Sequence, residues 1–459
     1  MTSEINANSE ERVPLSAWFS LLILTIILLF AMVDRVILSL MAEPVKQTMG
    51  LSDLQLGLMQ GTGIAIFAAL AAFPIGWLAD RFGRRIVLAG SILVWSAAVV
   101  GCALAQNFEQ LFIATSMVGA GEAGLAPITF AMIPQLFGKK KRQLANSIFI
   151  LAAAASGGLG MVLAGQLVSI MESVRDILPM ALQQLEGWRL SFLAAAAPAP
   201  LMILLVATIR IAHAHKPAVL EDDAAVESGS DSTLRQHFTE HRKTMFTFFS
   251  GMGFAIFSFG AVGLWLPVIL MRQFGQTPAQ VGAALGSLSL VGLAAGFLFV
   301  VFGLRLLEAR LGSLLQIRVM WTAALLCVFT SLMFAFVTSA QQIYVIQGVQ
   351  IVCLTAANML YPTVLQNLSP DHLRTRVIAI QTAVNVGFAA AAGPLVGYLS
   401  DVLSDSPRGL IMSASAVACC GLAISTSLFR WCEHGYVKTI EAIERSGSLA
   451  SETAEMQPA

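Results

Sequence analysis

Charge is scarce in this chain: Asp, Glu, Lys and Arg make up 12% of its residues, against about 25% in a typical soluble domain. An ordinary water-soluble globular protein is thereby excluded, the more so because 57% of the residues are hydrophobic. The few charges balance to a formal net of +0, so no basic field draws nucleic acid. Histidine is scarce and badly placed for catalysis. All six (His213, His215, His237, His241, His372, His434) fall in polar intervals or tails, which excludes an imidazole proton relay inside the apolar runs. No nucleophile with a base and no clustered acid set lies within those runs either, so neither an enzyme nor a metal or organic cofactor is expected. The six cysteines (Cys102, Cys327, Cys353, Cys419, Cys420, Cys432) lack the spacing of a zinc site or a secreted disulfide framework and read as small core residues. A cleavable signal is not expected: the first sixteen residues are polar and acidic, and the run after them is too long for a signal core.

What fills the chain instead is apolar sequence in lengths that cross a bilayer, about 20 residues for a helix. Twelve runs can be drawn, at 17–42, 54–79, 86–105, 110–135, 144–170, 190–211, 245–271, 279–303, 314–338, 342–368, 375–399 and 409–432. The pattern predicts an all-α membrane protein of twelve transmembrane helices in two six-helix bundles. Its expected parts are an N-terminal tail (1–16), a first bundle (17–212), a polar linker (213–243), a second bundle (244–433) and a C-terminal tail (434–459). The even-numbered connections carry seventeen Lys and Arg, and the odd-numbered ones five: Lys46, Arg175, Arg189, Arg272 and Arg408. That asymmetry predicts that both termini and the linker are cytoplasmic.

The two halves read as weak repeats. Runs five and eleven each follow a basic loop and turn glycine-rich, with Gly157, Gly158, Gly160 and Gly165 in one and Gly387, Gly393 and Gly397 in the other. Small residues let helix backbones approach closely in lipid. Runs three, six, nine and twelve lack Asp, Glu, Lys, Asn and Gln through their interiors, so every third helix is expected to face lipid around a wetter centre. Pro127, Pro134 and Pro362 are expected to bend their helices.

Against this background the charges inside the runs stand out. Asp34 and Arg35 sit in run one and Glu122 in run four. A charge near the centre of a spanning helix costs roughly 2.5–3.5 kcal/mol on insertion scales, so such groups face a protein interior or a hydrated cavity. Neighbouring helical positions point about 100° apart, so Asp34 and Arg35 address different partners. Glu122, flanked by Gly119, Gly121 and Gly124, lies where helix four can approach another helix; it is either a proton carrier or a static partner of Arg35. Two carboxylates against one guanidinium leave one carboxylate spare, and the spare one is the natural proton site. Gln60, Asn358, Gln381 and Asn385, with the aromatic Trp265, are candidate cavity-lining residues, and each amide is equally suited to bonding between helices.

Gly76-Trp77-Leu78-Ala79-Asp80-Arg81-Phe82-Gly83-Arg84-Arg85, between runs two and three, matches the G-x-L-A-D-R-x-G-R-R signature of the major facilitator superfamily, which the chain therefore resembles. The resemblance implies that fold and a conformational latch built from Gly76, Asp80, Arg81, Gly83, Arg84 and Arg85. In it, Asp80 docks near Ser369 to Arg374 at the start of helix eleven, and the arginines pair with carboxylates across the halves. The equivalent stretch of the second half, Gly303 to Arg310, lacks the acid. Asp34-Arg35, Leu51-Ser52-Asp53-Leu54-Gln55-Leu56-Gly57-Leu58, Gly119-Ala120-Gly121-Glu122-Ala123-Gly124 and Gly187-Trp188-Arg189 resemble the spinster-like branch in its bacterial form. That branch is associated with lipid-like substrates such as sphingosine-1-phosphate and lysophospholipids and with proton coupling. One departure stands in the way of a full transfer: where similar sequences carry an arginine seven residues before the glutamate, this chain has Thr115.

The sequence thus predicts a proton-coupled secondary transporter of an amphipathic anion, with Asp34, Arg35 and Glu122 as the coupling site and protons as the coupling ion. It is expected to act as a monomer in the inner membrane of a bacterium, with the bilayer itself and a small amphipathic substrate as partners. The rivals are the same fold carrying small organic anions or drug-like compounds and, more distantly, a non-transporting membrane receptor.

Overall fold

The computed structural model describes residues 14–209, 234–370 and 373–455. Residues 1–13, 210–233 (which include most of the expected linker), 371–372 and 456–459 lie outside the described residues. Among those described, twelve helices are long and apolar enough to cross a membrane. In chain order, spans 1 to 6 are Leu15–Leu40, Asp53–Phe82, Arg84–Leu104, Phe108–Leu136, Lys141–Ser173 and Gly187–Thr208. Spans 7 to 12 are Arg242–Phe274, Pro278–Leu306, Leu315–Phe336, Ala340–Asn367, Arg376–Val402 and Gly409–Ala442. These track the apolar runs closely. The twelfth departs from expectation at its end, because its helix continues through Glu455. Tyr436 and Thr439, placed in a tail by hydropathy, are buried there: Tyr436 bonds Asn367 and Thr439 bonds Thr244.

Two compact units divide the chain. The first is Met1–Leu51, Leu58–Ala218 and Gly275–Ser287; the second is Ser52–Gly57, Val219–Phe274 and Leu288–Ala459. Each unit therefore holds the opening residues of a helix whose remainder belongs to the other: span 8 begins in the first unit and span 2 in the second.

The internal repetition glimpsed in the glycines is written more clearly in the helix caps. Spans 2, 4, 8 and 10 each open on a polar cap followed three residues later by glutamine. Ser52 and Gln55 bond each other's backbone amides reciprocally, and so do Thr277 and Gln280. Asn107 caps Gln110, and Ser339 caps Gln342. Each box satisfies amide donors that a helix start leaves open. Thr277→Ala is expected to lower the unfolding free energy by about 1 kcal/mol, read as a lower thermal midpoint of the solubilised protein. Arginines repeat in the same way: Arg189 donates to the carbonyls of Ala103 and Ala105 at the end of span 3, and Arg408 to that of Val337 just beyond span 9.

Proline sets the helix breaks. A proline ring clashes with the carbonyl four residues earlier and supplies no amide to it. Span 4 breaks between Glu122 and Leu125, with Pro127 placed against Ala123. Span 6 breaks after Ala196, four residues before Pro200, and span 7 after Gly263, four before Pro267. Pro134 and Pro362, expected to bend their helices, stay inside continuous ones.

The expectation that every third span shows itself as the lipid-facing one is not met in burial. Span 12 is 61% buried over its most apolar window, whereas span 2 is only 17% buried. A peripheral helix still packs one side on its neighbours. Leu88, Ile92 and Trp95 of span 3 and Met202 and Val206 of span 6 join spans 1, 4 and 5 in the core of the first unit. The second unit has its own core, built around Phe248, Met320, Val364 and Phe429.

Candidate functional site

Asp34 and Arg35 diverge as adjacent helical residues must. Arg35 Nη2 lies 2.7 Å from Glu122 Oε2 on span 4, with the Arg35 side chain 46% exposed and that of Glu122 4%. Asp34 is buried, and among the described residues its Oδ1 has no hydrogen-bond partner; nor does Glu122 Oε1. Around Asp34 stand Trp95 and Cys102 of span 3, with Glu122 within electrostatic reach. The Trp95 indole N–H faces the carboxylate without reaching hydrogen-bond geometry. The three intramembrane charges therefore converge on one place within the first unit, as a shared requirement for compensation demands.

Close packing delivers Glu122 to this place. A Cβ on Gly121 would sit 2.7 Å from the backbone nitrogen of Trp95, and one on Gly119 2.6 Å from the carbonyl oxygen of Ile64. Spans 3 and 2 thus meet span 4 at backbone distance on either side of the glutamate. Gly160 does the same for span 5 against Met32 and Val33, directly before Asp34. The break at Pro127 begins at Glu122, so the carboxylate stands at the end of a helical segment. Thr115 is buried and turns its hydroxyl back to the Phe112 carbonyl at 3.0 Å; it brings no charge to the position where similar sequences have one.

Sequence reasoning passed over Trp95 and Cys102, because an indole and a thiol in an apolar helix look like ordinary core. The available signal was indirect: three glycines in six residues around Glu122 require a neighbouring backbone, and the residue it meets is Trp95.

The other candidates scatter. Gln60 is buried in a π-helical segment, Leu58–Gly63, with both side-chain amide atoms unpartnered among the described residues. Gln381 is fully buried and donates to the Phe249 carbonyl and to Asn385 Oδ1, so these two act as links inside the second unit. Asn358 lines a small apolar cavity of about 20 Å³ with Phe259, Met252 and Cys353. Trp265 corrects its expectation: it is fully buried, with its indole N–H donating to the Gly393 carbonyl at 3.1 Å. The break before Pro267 turns this side chain into packing instead of toward a cavity.

At the signature between spans 2 and 3, Gly83 adopts φ +92°, a conformation L side chains rarely take; the chain reverses there within one residue. Gly76 meets open space. Arg84 donates to the carbonyl of Ala131 and Arg85 to that of Ala207 at 2.6 Å, while Arg81 stacks over Trp77. Backbone carbonyls near the ends of spans 4 and 6 thus take the place of the carboxylates expected for Arg84 and Arg85. A cation at a helix C-terminus complements its dipole. Asp80 is exposed.

Twelve spans, a charge cluster enclosed by spans 1, 3 and 4 and a glycine-hinged basic loop define a multi-pass membrane transporter. The chain belongs to the Major Facilitator Superfamily, whose family model matches residues 23–394. It is 26% identical over 410 residues to an MFS-type efflux pump of Mycolicibacterium smegmatis, covering 87% of this chain and 88% of that protein. It is 29% identical over 254 residues to the sphingosine-1-phosphate transporter SPNS2 of Mus musculus, covering 54% of this chain and 43% of SPNS2. The chain thus matches less than half the length of that relative. Among solved structures, a bacterial homolog of the human lysosomal transporter spinster, inward-facing and unoccupied, shares the fold. It superposes with a TM-score of 0.75 at 19% identity, over 94% of this chain and 98% of that one.

Proposed function

We propose that the protein is a proton-coupled secondary transporter of an amphipathic anion of the lysophospholipid or sphingoid phosphate type. The observation that carries this is the state of Arg35: one guanidinium nitrogen holds Glu122, yet the side chain is nearly half exposed. A planar guanidinium can bind a carboxylate and an anionic headgroup together. In this reading Arg35 receives the headgroup, and Asp34 and Glu122 exchange protons with the cavity. Proton and ligand then each bias one of two states by differential affinity, which is alternating access. Asp80 with the Gly83 turn and Arg84 sets the balance between the states. The protein acts as a monomer in a bacterial inner membrane with both termini cytoplasmic, as the lysine and arginine distribution suggests.

The test is flux of a labelled lysophospholipid into proteoliposomes with and without an imposed pH gradient. Gradient-driven accumulation is expected, and Glu122→Gln should reduce it by about 100-fold, the order typical of a positioned proton-transfer group. Unchanged pH dependence in that variant would remove Glu122 from the coupling role. A second reading, carriage of small organic anions or drug-like compounds, is favoured by the long match to the efflux pump; competition by small carboxylates but not by lysolipids would select it.

A further inference from the structure

Two thiols inside the second unit take no part in the reading above. Cys327 on span 9 is fully buried and Cys353 on span 10 partly so, and both are free. They face one another across the two helices, packed with Ala324, Leu422 and Phe259. A hydrogen-bonded cluster one turn away fixes this register. Gln350, three residues before Cys353, donates its side-chain amide to the hydroxyls of Thr330 at 3.2 Å and Ser331 at 2.9 Å, and Thr330 is three residues after Cys327. Positions three apart share a helix face, and consecutive spans run in opposite directions, so the one pairing aligns the other. Gln350 and Ser331 are as deeply buried as Cys327; the link is closed to solvent.

The thiols border the cavity of about 20 Å³ that Asn358 lines. Thiols serving only as small filler would close on one another, whereas these edge a space that holds about one water-sized sphere. The walls do not suit water, which needs two to four polar partners. Met252 and Met320 line the cavity as well, so its main electron-pair donors are sulfur. Among the described residues that line it, none is Asp, Glu or His, and Asn358 brings the one amide. Mg(II) and Ca(II) require several oxygen ligands, and Zn(II) requires a tetrahedral set that two thiolates without imidazole do not complete. Thiolate and thioether together select Cu(I). Charge points the same way: one monovalent ion with one thiolate is neutral, so the apolar walls carry no net charge.

We propose that Cys327 and Cys353, with thioether sulfur from Met252 and Met320 in the same cavity, form a binding site for a thiophilic monovalent metal ion, Cu(I), within the second unit. The ion replaces the proton of one thiol, which passes to solvent; no electron is transferred. The site stands independently of the lysolipid reading, since every residue in it belongs to one unit and none is assigned to coupling.

The test titrates the full-length, detergent-solubilised protein with Cu(I), kept reduced by ascorbate and buffered by a coloured Cu(I) chelator whose lost absorbance counts the metal taken. One Cu(I) per chain is expected. Cys327→Ser and Cys353→Ser should each weaken retention by more than about 100-fold, the upper range for losing only a supporting partner of a ligand. Gln350→Leu, which removes the register without removing a sulfur, should weaken it by about tenfold. Cys419→Ala with Cys420→Ala, neither of which lines the cavity, should leave it unchanged, and excess Zn(II) should not displace the ion. Should the serine variants fail to fold, X-ray absorption at the copper edge of the Cys419→Ala, Cys420→Ala protein decides: at least two sulfur neighbours are expected, and a shell of nitrogen or oxygen overturns the site. Wild-type retention in Cys353→Ser, or loss in the Cys419→Ala, Cys420→Ala protein, would overturn it equally.

Discussion

Arg35→Met is expected to destabilise the protein by about 3 kcal/mol, the lower end of the cost of stripping one partner from a buried ion pair. Glu122 is almost wholly enclosed, and among the described residues Arg35 is its one hydrogen-bonding partner. The remaining carboxylate would be left without compensation in a low-dielectric interior. Partial exposure of Arg35 screens the pair, which is why the lower end applies. The double variant Arg35→Met with Glu122→Gln should recover most of the loss, because Glu122 no longer leaves a buried carboxylate without its guanidinium partner. Thermal unfolding of the detergent-solubilised protein followed by tryptophan fluorescence measures both. A double variant no more stable than Arg35→Met would mean that the two side chains are not energetically coupled.

Gly121→Val should have a comparable effect for an unrelated reason. The added atoms would meet Trp95 backbone at 2.7 Å, and backbone inside two packed helices cannot give way as a side-chain tip can. Overpacking of this kind costs about 3 kcal/mol at its upper range. It should also push Glu122 away from Arg35, so flux falls together with the thermal midpoint. Gly90→Ala is the control. Its Cβ meets nothing within 4 Å, and alanine in a helix interior gains up to about 1 kcal/mol over glycine. Equal midpoints for wild type and Gly121→Val would show that spans 3 and 4 are not in backbone contact.

The twelve spans were legible because hydrocarbon imposes a length and a composition that few soluble sequences imitate. The charge cluster was legible for the same reason: Asp34, Arg35 and Glu122 are expensive in apolar sequence, and expense points to convergence. What stayed hidden was anything fixed by which helices meet. Asp53 looked like one letter of a helix-entry motif, since its partners Arg272, Ser400 and Asp401 lie hundreds of residues further on. Trp265 looked like a cavity aromatic until the break before Pro267 turned it toward Gly393. Arg84 and Arg85 suggested carboxylate partners by charge, whereas helix-end carbonyls, which every sequence has and none displays, were the groups within reach. The end of span 12 was misjudged because hydropathy registers the loss of apolar character, not the continuation of backbone hydrogen bonding.

Span 2 changes allegiance at one residue: Gly57 packs with the second unit and Leu58 with the first. The π-helical segment Leu58–Gly63 begins at that residue. Such a turn holds one more residue than the α-helix on either side, and each residue is worth about 100° of rotation. The helix is thus a keyed shaft, whose surplus residue sets the angular phase between Asp53 at one end and Asp80 at the other. Evolution could retime the two ends against each other by a single insertion or deletion there, without altering a side chain at either.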